Sequence, residues 1–302
     1  MLSSLADPIL PIFAVPVAGY FLTLRGLLAL EDARSINRYT FFVAVPALVM
    51  SVIGSAQPGE IWWTPALIYL AAELLVYALI FCIMRSVFRR EKGEALLLGM
   101  TAVFANHILF VLPIAERFYP DARSGMAGMM VLDGIVLFCG SVFLTELITG
   151  DGGLRGAIRR LSSNPFVYAV PLGLLLGVLG PNAPAGIWTF LDFAGGTAAP
   201  VALFTLGITL TAAPIWPIRL PCWSVSAAKL LLMPGLVWWG FGSVDVPRES
   251  LDHAILILAA AGPCGAMPFV IATQYAVPTG TIAKTIFVST VLSLISLALL
   301  LP

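Results

Sequence analysis

Long apolar runs, separated by short polar connections, repeat along the whole chain. A helix needs about 20 mostly apolar residues to cross the core of a bilayer, and ten runs are close to that length or exceed it. These candidate spans are 6–27, 36–54, 63–88, 95–118, 125–148, 164–180, 186–210, 221–241, 252–276 and 279–301. The runs are continuous, whereas the strands of a membrane barrel alternate between apolar and polar positions over about ten residues. The pattern therefore predicts an all-α polytopic membrane protein.

The composition agrees with this pattern. Of the 302 residues, 60% are hydrophobic and 11% are charged, whereas a soluble domain carries about 25% charged residues. The formal net charge is zero, which argues against a nucleic acid as a partner. We therefore expect a lipid bilayer to be the solvent of this chain.

Lysine and arginine are concentrated in alternate connections between the predicted spans. Eleven of the sixteen lie in the odd-numbered connections, namely Arg25, Arg34, Arg38, Arg85, Arg89, Arg90, Lys92, Arg155, Arg159, Arg160 and Arg219. The even-numbered connections hold Arg117, Arg123 and Arg248. Connections rich in Lys and Arg stay in the cytoplasm. We therefore expect a protein of the inner or plasma membrane of the cell, with both termini outside.

The two halves of the chain resemble each other at an offset of 154 to 157 residues. "AVPALVMSVIG" at 44–54 matches "AAPVALFTLGI" at 198–208, and "IAERFYP" at 114–120 matches "IATQYAVP" at 271–278. The "DP" that opens the first span matches the "NP" that opens the sixth, and each pair is typical of a helix start. The common offset indicates an internal repeat.

A repeat of five spans has an odd number of crossings, so its second copy enters the membrane upside down. The sequence thus predicts two inverted five-helix units, 1–150 and 160–302. Inverted repeats are typical of secondary transporters, whose substrate site lies near the midplane between the repeats.

The fourth and ninth runs contain helix-breaking and polar residues at positions that the repeat offset pairs. The stretch "FANHILFVLP" carries Asn106, His107 and Pro113, and the stretch "GPCGAMP" carries Gly262, Pro263, Cys264, Gly265 and Pro268. Proline removes a helix hydrogen bond, and backbone freed in this way is tolerated in hydrocarbon only beside protein or a wet cavity. Free N–H groups at helix starts suit an anion. We expect a substrate site here, with a purely structural pair of proline kinks as the alternative.

Ionisable residues inside the spans are the other candidates. Each costs on the order of 3 kcal/mol to insert, and Glu73, Asp133 and Lys229 lie well within theirs. They could bind a coupling proton or cation, provide counter-charges or line a polar interface, and Lys229 could also extend to the membrane surface. His107 could serve a proton step or a structural role.

The sequence shows no pattern typical of a metal site, a redox centre or a nucleotide site. The four cysteines have unrelated spacings. No phosphate-binding loop ends in Lys-Ser or Lys-Thr, and His, Asp and Glu form no cluster at helical spacing. We therefore expect no metal, no cofactor and no enzymatic activity.

Several stretches resemble the auxin efflux carrier family, which includes the plant PIN auxin exporters and bacterial permeases for malate or malonate. The segment from 262 to the end, "NPFVYAVPLGLLLGVLG" at 164–180 and "AAPVALFTLGITL" at 198–210 resemble its second half. "FANHILFVLP" resembles its fourth-helix pattern, with Asn106 and Pro113 in register.

The resemblance implies ten helices in two inverted repeats, with a scaffold of helices 1, 2, 6 and 7 and a transport domain of helices 3–5 and 8–10. It also implies that broken helices 4 and 9 cross at their unwound prolines, beside the substrate, and this carries over to Asn106, Pro113, Pro263 and Pro268.

The expected function is a secondary transporter of a small organic anion, such as a dicarboxylate or an auxin-like acid, that works by alternating access. A sodium-coupled symporter of the bile acid carrier type is the alternative. It is disfavoured because the broken stretch of the ninth span, around Pro263 and Pro268, is poor in acidic and amide residues. The expected partners are the anion and the bilayer, and a homodimer is a further arrangement open to the chain.

Overall fold

The computed structural model describes residues 14–55, 61–119, 121–150, 153–212, 216–244 and 246–300. The regular structure in these ranges is helical, apart from one isolated antiparallel bridge. The first part of the first predicted span, with its "DP" pair, lies outside the described residues.

Thirteen helical segments follow one another in the described residues. They are α1 (Ala14–Leu24), α2 (Leu30–Ser55), α3 (Trp63–Ser86), α4 (Lys92–Val103), α5 (107–118), α6 (122–149), α7 (Gly153–Ser162), α8 (Pro165–Leu179), α9 (Ala185–Leu210), α10 (Leu220–Ser243), α11 (Leu251–Ala261), α12 (Met267–Gln274) and α13 (Gly280–Leu300).

Seven of these helices are long and apolar enough to cross a membrane: α2, α3, α6, α8 with its short extension to Asn182, α9, α10 and α13. Helices α1 and α11 are shorter apolar helices. The prediction of an all-helical, multi-pass membrane protein is confirmed. The fourth and ninth predicted spans are each divided into two helices. The fourth span forms α4 and α5, and the ninth span forms α11 and α12.

Three helices contain a wide, π-helical turn two residues before a proline. The turns are Thr40–Ala44 before Pro46, His107–Val111 before Pro113 and Ala228–Leu232 before Pro234. Each turn closes with a hydrogen bond that spans five residues instead of four. Since a proline ring clashes with the carbonyl one turn back and has no N–H to bond to it, widening the preceding turn accommodates the ring. A fourth wide turn, Asp133–Phe138 in α6, is not followed by a proline.

The start of α8 follows the sequence prediction. The side chain of Asn164 accepts a hydrogen bond from the backbone N–H of Phe166 at 3.0 Å, and Pro165 occupies the first helical position. An Asn cap followed by proline satisfies one free N–H group and requires none from the next residue.

Helices α1, α2, α8 and α9 approach one another closely through glycines. A Cβ added at Gly207 of α9 would collide with the carbonyl oxygen of Pro16 of α1. A Cβ at Gly195 of α9 would lie 2.9 Å from the backbone nitrogen of Leu48 in α2. A Cβ at Gly173 of α8 would lie 3.0 Å from the Cβ of Ile53 in α2. These contacts connect the four helices as one packed group.

The interior is apolar, and so is much of the outer surface. Fully buried residues such as Val52, Leu97 and Met126 belong to one continuous core. Large apolar side chains, for example Phe193 and Leu299, are about four-fifths exposed. Such an exposed apolar surface is unusual in a soluble monomer and is consistent with lipid contact.

Candidate functional site

Two extended segments cross inside the protein. Residues 104–106, between α4 and α5, run antiparallel to residues 263–265, between α11 and α12. The N–H of Gly265 donates to the carbonyl of Phe104 at 2.7 Å, and the N–H of Asn106 donates to the carbonyl of Pro263 at 2.9 Å. Positions 106 and 263, which the repeat offset pairs, are therefore in direct contact.

Gly265 allows the two segments to approach closely, and Cys264 connects them to a neighbouring helix. A Cβ at Gly265 would lie 2.9 Å from the carbonyl oxygen of Ala105 and 3.0 Å from that of Phe104, so the position needs a residue without a side chain. Cys264 is fully buried, and its N–H donates to the hydroxyl of Ser289 in α13 at 3.1 Å. The crossing is thus fixed to a neighbouring helix.

The end of α11 lies inside the protein, and its last carbonyl groups have side-chain partners. Nζ of Lys229 donates to the carbonyls of Ala260 at 3.0 Å and Ala259 at 3.4 Å. The hydroxyl of Ser296 donates to the carbonyl of Ala261 at 2.9 Å. A positive charge at a helix C-terminus is favourable because the carbonyl end carries a partial negative charge. Lys229 therefore acts as a cap for the interrupted helix.

A small cavity of about 60 Å³ lies beside the crossing, with room for a few water molecules. His107 and Met267, the first residues of α5 and α12, line it together with Asn106 and Asp133. The amide of Asn106 is half-buried, and within the described part of the chain it has no hydrogen-bond partner. It is therefore available to a molecule in the cavity.

Pro113 and Pro268 lie outside the extended segments, which differs from the expectation that the helices cross at these prolines. Pro113 is exposed and lies beyond the wide turn that its own ring requires. Pro268 is the second residue of α12, where a missing N–H costs little. Pro263 does lie in the crossing. Gly262 ends α11, where a Cβ would collide with Val111.

Five buried side chains from four helices meet next to the crossing: Tyr69 and Glu73 of α3, His107 of α5, Asp133 of α6 and Lys229 of α10. We call them the buried polar cluster. One carboxylate oxygen each of Glu73 and Asp133 and one ring nitrogen of His107 lie within 4.8 Å of one another. Nε2 of His107 is 3.7 Å from Oδ2 of Asp133, and the ring of Tyr69 meets the His107 ring edge-on at 5.9 Å between centroids.

Three members of the cluster lie in the wide turns described above. His107 and Asp133 are the first residues of their turns, and Lys229 is the second residue of its turn. Wide turns within α-helices occur frequently at functional sites. In this protein they present three charged or titratable side chains to one another.

Several polar atoms of the cluster have no hydrogen-bond partner among the described residues. They are both carboxylate oxygens of Glu73, both ring nitrogens of His107, Oδ1 of Asp133 and the hydroxyl of Tyr69. Buried polar atoms normally have partners, so the cluster is suited to bind a proton, an ion or a polar molecule.

Two carboxylates and the Lys229 ammonium carry a net charge of −1, and a divalent metal ion would leave a buried positive charge without compensation. The donor set therefore does not suit a divalent metal.

A larger cavity of about 490 Å³ lies between α2 and α9 on one side and α12 and α13 on the other. Among the described residues, its charged lining residues are Arg34, Arg38 and Lys284, and none of the lining residues is a carboxylate. Phenylalanine side chains supply part of the remaining wall. The cavity therefore combines positive charge with apolar surface, and Lys284 contributes to it directly.

An ion-pair network joins four helices on the side of the molecule opposite the larger cavity. Nε of Arg123 is 2.6 Å from Oε1 of Glu116, and Nη1 of Arg123 is 3.6 Å from Oδ1 of Asp192. The hydroxyl of Ser51 donates to the same Asp192 oxygen at 2.7 Å. The network connects α5 and α6 to α2 and α9.

Comparison with known proteins gives the family. The model for the family described as membrane transport protein matches residues 4–157 and 152–301. The chain belongs to this family of membrane transport proteins. The auxin efflux carriers are part of the same family, so the resemblance found in the sequence is confirmed.

Relatives of this membrane transport protein are similar along nearly their whole length. An uncharacterized transporter of Methanothermobacter thermautotrophicus is 25% identical over 298 residues, which cover 97% of this chain and 96% of the relative. A putative malonate transporter of Rhizobium meliloti is 25% identical over 300 residues, covering 94% and 91%. The uncharacterized transporter YfdV of Escherichia coli K12 is 24% identical over 302 residues, covering 96% and 94%.

The sequence did not indicate that the buried ionisable residues of this transporter form one group. Glu73, His107 and Asp133 are far apart along the chain, and the spacing rules for His, Asp and Glu act within a single helix. Each residue was a candidate because it is ionisable inside an apolar run. Only the packing of their helices brings the three together.

Proposed function

We propose that this membrane transport protein is a secondary transporter that moves a small organic anion across the cytoplasmic membrane by alternating access. The substrate class is a carboxylate, such as a dicarboxylate or an auxin-like acid. The observation that carries this proposal is the unpartnered amide of Asn106 in the cavity at the crossing. An amide N–H can donate to a carboxylate, and the starts of α5 and α12 border the same cavity with their partial positive charge.

The basic cavity supports an anionic substrate. Arg34, Arg38 and Lys284 line it, with no carboxylate among the lining residues that the structure describes. A cleft of one charge sign concentrates ions of the opposite sign. It opens beside the odd-numbered connections, which the positive-inside rule places in the cytoplasm. In this orientation the termini face outward and the basic cavity is the cytoplasmic vestibule.

The arrangement of helices supports a scaffold and a transport domain within ten spans. The closely packed helices α1, α2, α8 and α9 correspond to scaffold spans 1, 2, 6 and 7. Val45 of α2 and Phe166 of α8 face the crossing across the small cavity, which is the boundary that moving domains would use. The ion network of Arg123 bridges the same boundary on the outer side. We therefore assign the structure to an inward-open state with its outer side closed.

The name of one relative agrees with the substrate class. The Rhizobium meliloti protein is a putative malonate transporter, and malonate is a small dicarboxylate. The shared length of the two chains makes a related carboxylate the first substrate to test.

The test is counterflow and uptake into proteoliposomes with purified protein. Malonate, malate, succinate, acetate and indole-3-acetate form the panel. Saturable uptake of at least one acid is the expected result, and failure of all five would contradict the proposed substrate class. A sodium gradient that drives accumulation where a proton gradient does not would favour the symporter of the bile acid carrier type instead.

The residue that this proposal depends on is Asn106. Replacing it with alanine removes one hydrogen bond to a charged group, worth about 1.5–3 kcal/mol, so Asn106→Ala should weaken carboxylate binding by roughly 10- to 100-fold. The control is Asn182→Ala, at an exposed position away from both cavities. An Asn106→Ala protein that loses its fold, or one that transports with unchanged affinity, would contradict the assignment.

A further inference from the structure

The ionised buried polar cluster carries an unbalanced charge. Glu73 and Asp133 contribute two negative charges and Lys229 one positive charge, whereas His107 and Tyr69 in their neutral forms contribute none. Glu73 and Lys229 are both 0% exposed. A net charge of −1 without solvent is unfavourable, and one proton or one monovalent cation would cancel it.

The two carboxyl groups are placed to share a proton. Their oxygens lie within 4.8 Å of each other. Two ionised carboxylates only accept hydrogen bonds and repel each other, but after one proton binds, one carboxyl can donate to the other. Among the described residues, neither oxygen of Glu73 has a hydrogen-bond partner, and neither does Oδ1 of Asp133. A single proton thus cancels the charge and gives partners to carboxyl oxygens that have none.

We propose that the Glu73–Asp133 pair is a proton-binding site that couples anion transport to the proton gradient. The inference rests on the proposed transport function and specifies its coupling ion. One O–H bond forms when the pair takes up a proton, and the same bond breaks on release. Asp133 lines the cavity that also holds Asn106, so the pair exchanges its proton through the substrate cavity.

The pair is mechanically connected to both interrupted helices. Lys229 interacts electrostatically with the two carboxyl groups and donates to the carbonyls of Ala259 and Ala260 at the end of α11. His107 lies beside Asp133 and is the first residue of α5. When the pair loses its proton, it attracts Lys229 more strongly, and the carbonyls of α11 then compete for the same ammonium group. Proton binding therefore changes the forces on the crossing.

Other titratable groups facing the cluster do not alter the charge balance. The hydroxyl of Tyr69 faces both carboxyl groups, and the thiol of Cys264 faces Lys229. A phenol and a thiol are neutral at the pH of the cell unless strongly perturbed. With a neutral His107, the count of one proton therefore depends on Glu73, Asp133 and Lys229.

Infrared difference spectroscopy of the purified protein tests the site without any transported substrate. A pH step across the neutral range should produce the carbonyl stretch of a buried carboxylic acid. We expect Glu73→Gln and Asp133→Asn each to abolish that band, because each leaves a single carboxyl that pairs with Lys229. Both changes keep the size of the side chain, and monodisperse elution checks that each variant is folded.

The matched control is Glu94→Gln. Glu94 is also buried, but it lies outside the cluster and Arg90 lies 3.2 Å from its carboxylate. The control should keep the band. A band that survives in both cluster variants would overturn the proposal. So would a band that sodium chloride removes at constant pH and choline chloride does not, because the site would then bind sodium.

Transport provides the second measurement. For a carboxylate that wild-type protein carries, Glu73→Gln should lower proton-driven accumulation by about 5- to 150-fold, the usual range of coupling between two sites, and should retain counterflow. Equal loss of both activities would show a structural role and overturn the coupling. If no acid of the panel is carried but the band behaves as expected, the proton site stands and the substrate proposal fails.

Discussion

At the scale of single residues, the crossing is built from residues that allow the backbones of two segments to come into direct contact. Pro263 has no N–H that needs a partner and offers its carbonyl to Asn106, while Gly265 has no side chain to separate the two segments. Effects of proline and glycine act locally, which is why this part of the site could be predicted from the sequence. The exact contact at Ala105 and Cys264 could not, because it depends on how two distant segments align.

Gly265→Ala should weaken the crossing. The added Cβ would meet two backbone oxygens at about 3 Å, and overpacking of this kind costs about 1–3 kcal/mol. We expect a lower midpoint of thermal unfolding in detergent. Gly235→Ala is the control, because outside its own helix turn no atom of the described residues lies within 4 Å of a Cβ at that position. Alanine is also the better helix former. Equal midpoints for the two variants would show that the crossing tolerates a side chain.

Polar residues of the cluster belong to the same scale but were only partly predictable. Their presence in apolar runs identified Glu73, Asp133 and Lys229 as candidates, and His107 stayed ambiguous between a proton step and a structural role. The structure gives all four the same surroundings. This grouping follows from helix packing, to which a single sequence offers no direct signal.

At the scale of helices, the positions of the prolines explain where three of the wide turns lie, but Pro113 does not mark where its helix is interrupted. Pro113 was expected at the crossing, yet the interruption falls at residues 104–106 and Pro113 follows a wide turn. A helix can respond to proline by widening, kinking or ending. The choice among these responses depends on what surrounds the helix, so the position of the break was less predictable than its existence.

Pro113→Ala should disturb function more than stability. With an N–H restored at this position, the turn His107–Val111 can close as an ordinary helix turn, and this rotates His107 by roughly 100° relative to α5. We expect slower transport and an unchanged or higher unfolding temperature. Pro171→Ala, inside α8, is the control because no wide turn precedes Pro171. Wild-type transport by Pro113→Ala would mean that the wide turn does not orient His107.

At the scale of the whole molecule, charge is divided between two sides. A cavity lined by three basic residues opens on one side, and an ion-pair network lies on the other. The count of Lys and Arg in the connections indicated the positive side in advance. It did not indicate that Arg34, Arg38 and Lys284 share a cavity, because the positive-inside rule describes insertion and not tertiary structure.

Lys284→Ala should slow the entry of a carboxylate from the basic cavity. The effect is electrostatic, so it should be clear at low salt and disappear near 1 M salt, where the Debye length is about 3 Å. Initial rates in inside-out vesicles at several salt concentrations provide the measurement. Arg219→Ala is the control, since Arg219 lies on the same side but does not line the cavity. A deficit that persists at high salt would contradict the electrostatic role.

Arg123→Ala should loosen the side of the molecule that holds the ion-pair network. Exposed ion pairs contribute about 0.2–1 kcal/mol each, so the population of open molecules should rise by up to about fivefold per pair lost. Faster hydrogen exchange of the backbone around residues 114–126 is the expected readout. Arg248→Ala is the control, because Arg248 lies over the ring of Trp238 and not in the network. Unchanged exchange in Arg123→Ala would show that other contacts close this side.

The wide turn in α6 has a consequence for how this transporter tolerates insertions and deletions. A turn of this kind stores one residue more than a regular helix needs, and at Asp133–Phe138 no proline demands the extra length. Loss of one residue after Asp133 would let the turn close as a regular, fully bonded helix, with the parts before and after it still in phase. Such a shortened chain should insert and fold with Asp133 still beside Glu73. The wide turn therefore gives α6 a point at which the chain can lose one residue without moving the Glu73–Asp133 pair.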